Sequence, residues 1–156
     1  MSDSSGRTKR NLEALEGDLA SGRLHHALLL QGKNLSALEK GAIHLSRKIL
    51  GTAESNEEHP DLFHLRPSGK ARLITVESTR ELISDLNRSA SQGENKVALL
   101  HEVDRMRREA ANAFLKTLEE PPHGTFILMV TTRPYSLLPT IRSRCLQVRL
   151  DEKFEE

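Results

Sequence analysis

Short apolar runs alternate with longer amphipathic segments along this chain. A short continuous apolar run is typical of a strand that is buried on both faces of a sheet, whereas apolar residues three or four positions apart indicate one face of a helix. Regular alternation of the two favours right-handed crossovers and a mostly parallel, doubly wound α/β sheet. The pattern predicts five strands, at 27–30, 61–65, 97–100, 126–131 and 145–150.

The segments between these runs have helical spacing. Residues 76–91 and 106–118 each place their apolar side chains on one face of a helix. Pro121 and Pro122 end the second of these helices, because proline cannot continue the hydrogen-bonding pattern. Two polar stretches, 51–60 and 66–72, are predicted as surface loops. Two further helices are predicted beside the first strand, at 9–20 and 36–50.

Composition narrows the function classes. The 156 residues include 37% hydrophobic and 29% charged residues, which is typical of one globular domain. A net charge of +1 gives the whole chain no general attraction to a polyanion or an anionic membrane. The single cysteine, Cys145, excludes an internal disulfide and a cysteine-based zinc cluster, and no run approaches the ~20 apolar residues of a membrane span. We expect a cytoplasmic protein without a membrane partner.

The loop after the first predicted strand lies where an open α/β sheet binds its ligand. A phosphate-binding loop has a second glycine five residues after its first, then Lys for the terminal phosphates and Ser or Thr for magnesium. Counted from Gly32, these three positions hold Ala37, Leu38 and Glu39. Lys33 does not fit this frame, and we interpret it as a solvated loop residue. The loop therefore has the position of a phosphate loop without its ligands, and we expect no bound ATP.

The third predicted strand ends in a second candidate site. An ATPase carries Asp-Glu there, with Asp for the magnesium ion and Glu to polarise the attacking water. In this chain His101 has the metal position and Glu102 the position of the base. Imidazole is a poor magnesium ligand, so we interpret His101 as a strand-end histidine that is hydrogen-bonded to backbone. The seven histidines also lack the helical spacing of a zinc site, and we expect neither magnesium nor zinc.

Two motifs near the carboxyl end carry a family resemblance. Residues 112–122 read Asn-Ala-Phe-Leu-Lys-Thr-Leu-Glu-Glu-Pro-Pro, and residues 138–145 read Leu-Pro-Thr-Ile-Arg-Ser-Arg-Cys. They resemble the clamp-loader branch of the AAA+ family, in particular the amino-terminal domain of the delta-prime subunit of bacterial DNA polymerase III and its gamma/tau relative. Within the helix motif only Phe114 departs from the family, which has Leu. The resemblance covers about 12–150 and implies an AAA+ type P-loop NTPase fold with a five-stranded sheet flanked by helices.

The resemblance also implies roles for single residues. The family arginine of Ser-Arg-Cys projects into the ATP site of a neighbouring subunit, and Arg144 matches it. A planar guanidinium suits the stabilisation of charge on phosphate oxygens, whereas the competing interpretation makes Arg144 a structural ion-pair residue. Ser143 is expected to set the turn and Cys145 to pack as a small apolar residue. Thr131 matches the family's first sensor position, and without a phosphate we expect its hydroxyl to cap the next turn.

The chain departs from the family in one insertion. Delta-prime relatives usually carry a four-cysteine zinc module where residues 51–60 stand, and that stretch contains no cysteine. The family also continues into a helical lid and a collar. We therefore divide the chain into a flexible start (1–8), the AAA+ domain with a degenerate nucleotide site (9–151) and the beginning of a linker (152–156).

Three functional hypotheses remain. The leading one is a non-hydrolysing subunit that acts with gamma/tau and delta partners to load a sliding clamp onto primed DNA, as part of a polymerase holoenzyme. The second is an active ATPase of the gamma/tau type, which the residues at the phosphate and metal positions disfavour. The third is a stand-alone DNA-binding module, for which a solvated charged face is the ordinary explanation; its cations would be Lys70, Arg72, Arg105, Arg107 and Arg108.

Overall fold

One parallel sheet forms the centre of the molecule. The computed structural model describes residues 4–52 and 58–150, with side chains from Asn11 onward. The strand order is β2-β3-β4-β1-β5, and every neighbouring pair is parallel, so the predicted α/β sheet is confirmed. The strands are β1 (Ala27–Gln31), β2 (Leu62–Leu65), β3 (Lys96–Leu100), β4 (Thr125–Thr131) and β5 (Leu146–Arg149).

Helices connect the strands and cover both faces of the sheet. Two single turns of 3₁₀ helix, Val103–Arg105 and Pro134–Ser136, follow β3 and β4. No helix within the described ranges is long and apolar enough to cross a bilayer. The α-helices are α1 (Ser4–Ala20), α2 (Leu35–Leu50), α3 (Val76–Leu86), α4 (Arg108–Glu119) and the short α5 (Pro139–Arg142).

The core consists of two layers, one on each face of the sheet. Successive residues of β1 alternate between them: Leu29 belongs to the layer under α3 and α4, and Leu28 to the layer under α1 and α2. This alternation is why each central strand reads as a continuous apolar run. Phe114 of α4 is fully buried in the first layer. Leu38 of α2 is fully buried in the second.

The first helix begins earlier than predicted. It starts at Ser4 instead of residue 9, so the backbone of 4–8, which we expected to be part of a flexible start, is helical. Half of the predicted acidic loop at 51–60, residues 53–57, lies outside the described residues. Gly51 closes α2 in the left-handed conformation that glycine adopts at low cost (φ 70°).

Helix α3 ends at Leu86, five residues before the predicted end. The buried carboxylate of Asp61 accepts hydrogen bonds from the backbone N–H groups of Ser91 (2.6 Å) and Gln92 (2.8 Å), which fixes that segment outside the helix. The ammonium group of Lys96 donates to the carbonyl oxygen of Leu86 at the helix end. Burial lowers the pKa of Lys96, and the nearby Asp61 offsets part of that change. Asp61 and Lys96 lie outside α3, directly before β2 and in β3. The helical periodicity of 76–91 therefore does not reveal these contacts.

Candidate functional site

The candidate site lies where β1, β3 and β4 end. Because parallel strands point the same way, their carboxyl ends meet at one edge, and the loops after them are adjacent. Gln31 is paired with Thr131 at this edge. The N–H of Gly32 donates to the carbonyl oxygen of Thr131 at 3.4 Å. Lys33 is exposed beside this contact and lines an open cleft of about 420 Å³.

The three phosphate-loop positions lie at the start of α2. Ala37 and Leu38 are buried in the core, and neither carries a charge that could meet a phosphate. The helix is capped by Asn34, whose side-chain oxygen accepts the N–H of Ala37 at 3.1 Å. That N–H belongs to the first turn, which in a phosphate loop supplies amides to the ligand. Here the chain itself satisfies it.

Glu39, at the third position, contacts His101, the residue at the metal position after β3. Its carboxylate lies 2.6 Å from Nδ1 of His101, and Nε2 of His101 lies 2.8 Å from Nδ1 of His64 in β2. His101 is almost completely buried, and its ring stacks on that of His64 with a centroid distance of 5.1 Å. The predicted backbone hydrogen bond of this ring is replaced by two side-chain contacts.

The contact between Glu39 and His101 has a chemical consequence. In a phosphate-loop ATPase the residues at these two positions, Ser or Thr and Asp, both hold the magnesium ion. In this chain a carboxylate and an imidazole stand at the two positions and lie 2.6 Å apart, so neither the hydroxyl nor the Asp carboxylate of such a magnesium site is present there. Among the side chains described, no group of three or more His, Cys, Asp or Glu residues is arranged to hold a metal.

Glu102, at the position of the catalytic base, is also engaged. Its backbone adopts the left-handed conformation (φ 47°), which is uncommon for a residue with a side chain. Its carboxylate accepts a hydrogen bond from the guanidinium of Arg72, which also has a positive φ (51°). Arg72 belongs to the basic stretch 66–72 that we predicted as a surface loop; its side chain is exposed, and its bond to Glu102 joins the loop to the end of β3.

Thr131 confirms its predicted use as a cap. Its hydroxyl accepts the N–H of Arg133 at 2.9 Å and donates to the carboxylate of Asp104 at 2.7 Å. The side chain is fully buried, so both contacts are protected from water. Asp104 lies in the 3₁₀ turn after β3, and the bond therefore ties the loops after β3 and β4 together.

The two sequence motifs meet at Arg144. Its Nε donates to the carboxylate of Glu119 at the end of α4, and its Nη1 donates to the carbonyl oxygen of Thr140 at 2.7 Å. Ser143 stabilises the turn after α5 by donating its N–H to the carbonyl oxygen of Pro139 at 2.9 Å. Arg144 thus forms an ion pair with Glu119 in its own chain, as the structural interpretation of this residue expects. Its role in the ATP site of a neighbouring subunit stays a prediction.

Cys145 packs as the sequence predicts. Its half-buried side chain contacts the layer under α3 and α4. Burial raises the pKa of the Cys145 thiol to about 11, because a thiolate would lose its hydration there. The thiol is therefore neutral at physiological pH and has the character of a small apolar residue.

Gly32 is required sterically at this site. A Cβ atom built at Gly32 would lie 2.1 Å from the carbonyl oxygen of Leu150, and that backbone cannot rotate away as a flexible side chain could. The N–H of Leu150 donates to the carbonyl oxygen of Gln31 at 2.8 Å, which holds the two segments together. The first glycine of the loop is therefore explained by packing alone.

Replacing Gly32 by alanine is expected to lower the free energy of unfolding by about 1–3 kcal/mol, because the added methyl group overpacks this contact. Urea denaturation followed by circular dichroism measures the change. Gly17→Ala is the matched control, because a Cβ at Gly17 of α1 would meet no atom within 4 Å. Equal stability of the two variants would contradict the steric role of Gly32.

Comparison with known proteins identifies the family of this chain. A sequence model described as DNA polymerase III, delta subunit, matches residues 7–154. The delta-prime subunit of DNA polymerase III from Yersinia pestis is 38% identical over an alignment of 146 residues, which covers 84% of this chain and 43% of the relative. The chain belongs to the delta-prime family of DNA polymerase III subunits. Its resemblance to clamp-loader subunits is thereby confirmed.

Other relatives extend this family assignment. The tau subunit of DNA polymerase III from Escherichia coli is 34% identical over 154 residues, covering 89% of this chain and 24% of tau. A crystal structure of a gamma subunit-related protein from Thermotoga maritima superimposes with a TM-score of 0.79 and 30% identity, covering 91% of this chain and 46% of that one. This chain therefore has the predicted AAA+ type P-loop NTPase fold. It spans less than half the length of these relatives.

Proposed function

We propose that this chain is a non-hydrolysing delta-prime-type clamp-loader subunit, which contributes Arg144 to the ATP site of a neighbouring subunit. The assembly would act in the cytoplasm with gamma/tau and delta partners and would place a sliding clamp on primed DNA. The observation that carries the proposal is the direct contact between Glu39 and His101, at the two positions where an ATPase holds magnesium.

The first half of the proposal concerns the chain's own nucleotide site. ATP binding needs a lysine for the terminal phosphates and a hydroxyl for magnesium, and the corresponding residues are Leu38 and Glu39. Leu38 is fully buried in the core, and Glu39 adds a negative charge where phosphates would carry theirs. The carboxylate of Glu102 already accepts a hydrogen bond from the guanidinium of Arg72. Each group that would bind or activate the nucleotide is therefore absent or engaged.

The second half concerns the neighbour. An arginine that acts in trans does not depend on a nucleotide bound to its own chain. Arg144 lies in a complete Ser-Arg-Cys motif, and its Nη2 makes no hydrogen bond to any residue that the structure describes. A guanidinium stabilises charge on the phosphate oxygens during transfer. Arg144 therefore retains the chemical groups that the role in trans requires.

A nucleotide titration separates this function from that of an active ATPase. We expect this chain to show no saturable binding of ATP with magnesium at millimolar ligand, measured by isothermal titration calorimetry. A tau-type domain with an intact phosphate loop is the positive control. Micromolar affinity of this chain for ATP, about 8 kcal/mol of binding free energy, would contradict the proposal and favour the gamma/tau type.

A further inference from the structure

We infer that Glu119 is a positioning residue for Arg144, one that holds the guanidinium ready for the neighbour's phosphate. The inference rests on the proposed function. It assigns to the helix motif at 112–122 a role in ATP hydrolysis at the neighbouring subunit. Its basis is the ion pair between the last residue of α4 and the arginine of the second motif, 25 positions later in the chain.

The hydrogen bonds of Arg144 use two of the three nitrogens of its guanidinium. Nε donates to Glu119, and Nη1 donates to the carbonyl oxygen of Thr140 at 2.7 Å and to Oγ of Ser143 at 3.4 Å. Within residues 4–52 and 58–150, Nη2 has no hydrogen-bond partner. The side chain is 31% exposed. Two nitrogens of the planar group are thus anchored to their own chain, while the third, Nη2, is able to donate to a phosphate of another chain.

Anchoring matters because arginine has a long and flexible side chain. An unrestrained guanidinium would have to lose its rotamer freedom at the moment of phosphoryl transfer, which raises the activation barrier. The bonds to Glu119 and Thr140 restrict that freedom beforehand. The rate constant of the neighbour's chemical step is therefore the quantity that should depend on Glu119.

The position of Glu119 is otherwise unfavourable. A carboxylate at the carboxyl end of a helix lies near the negative end of the helix dipole. The charge of Arg144 compensates for this placement. Pro121 and Pro122 follow the C-cap residue of α4, and their rings restrict the backbone there. The end of α4, which carries Glu119, therefore has little freedom to move. Glu119 and Glu120 are both exposed, but Glu120 has no side-chain hydrogen-bond partner in the described part of the chain.

The test uses the assembled loader, with this subunit beside its neighbouring ATPase subunit. The rate of a single turnover at the neighbour's site is measured at saturating ATP for wild type and five variants. They are Glu119→Ala, Glu119→Gln, Glu120→Ala, Arg144→Ala and the double variant Glu119→Ala with Arg144→Ala. Thermal unfolding of each subunit variant shows that it is folded.

We expect Glu119→Ala to lower this rate about ten- to a hundredfold, while the KM for ATP changes far less. Glu119→Gln keeps a neutral acceptor for Nε and should fall between Glu119→Ala and wild type. Glu120→Ala should match wild type. The double variant should be no slower than Arg144→Ala alone, because a positioning residue has no effect without the group that it positions.

The other outcomes overturn separate claims. If Arg144→Ala is impaired and Glu119→Ala is not, the positioning role is wrong and the proposed function stands. If Glu119→Ala slows the reaction further in the Arg144→Ala background, Glu119 acts through general structure and the inference is again wrong. If Arg144→Ala hydrolyses ATP like wild type, the proposed function is wrong and the positioning role falls with it.

Discussion

Replacing Arg144 by alanine is expected to lower ATP hydrolysis at the neighbouring subunit's site by on the order of 10³-fold, the lower end of what arginine fingers contribute. The guanidinium would stabilise negative charge on the transferred phosphate, and alanine supplies neither charge nor donors. ATP binding at that site should change much less, because the charge that the finger stabilises develops during transfer.

Arg144→Lys separates charge from geometry in this experiment. Lysine keeps the positive charge but lacks the planar fork that binds phosphate oxygens with two donors. It also has no Nε–H for Glu119 to accept, so we expect it to recover only a small part of the lost rate. Arg80→Ala, which removes an exposed cation from α3, is the matched control for net charge. Normal hydrolysis by Arg144→Ala in the reconstituted loader would rule out the role in trans.

Replacing Phe114 by alanine should lower the free energy of unfolding by about 3–5 kcal/mol, because it removes a fully buried aromatic ring and leaves a cavity. Phe114 packs in the layer between the sheet and α3 with α4, beside Leu82, Leu86 and Leu118. Chemical denaturation of the chain, with an unchanged dependence on urea, gives the difference directly.

The control for this change is Phe114→Leu, which introduces the residue that the clamp-loader family has at this position. Leucine keeps most of the apolar volume, and we expect a loss below about 1.5 kcal/mol. A loss below that value for Phe114→Ala as well would mean that the cavity collapses and that Phe114 does not anchor α4. Because α4 carries Glu119 at its end, movement of this helix would also displace the partner of Arg144.

The sheet could be predicted because the sequence carries a strong local signal. Val97 to Leu100 is a continuous apolar run, and the structure buries every residue of it between two layers of helices. The end of α3 could not be predicted in the same way. It depends on Asp61, directly before β2, and on Lys96 in β3, and therefore on the position of those strands beside the helix. Helical periodicity carries no information on such distant partners.

The candidate site shows the same division. The residue types at Leu38, Glu39 and His101 predict that phosphate and magnesium ligands are missing, and this stays a prediction. The bond between Glu39 and His101 joins residues 62 positions apart, and it follows from the spatial order of the strands. His64, which contacts His101, was not predicted as part of this site. A single histidine in a strand has no distinctive spacing, and its contact also follows from the order of the strands.

The bond between Glu39 and His101 also limits how this chain can evolve. A lysine at position 38 would bring an ammonium group into the apolar core, at a cost of several kcal/mol if it stayed charged. Aspartate at position 101 would set a second carboxylate against Glu39 and leave both without their hydrogen-bond donor. These two steps toward a phosphate loop, taken singly, are therefore expected to destabilise the domain. A change of this chain toward a phosphate loop would therefore have to pass through less stable sequences.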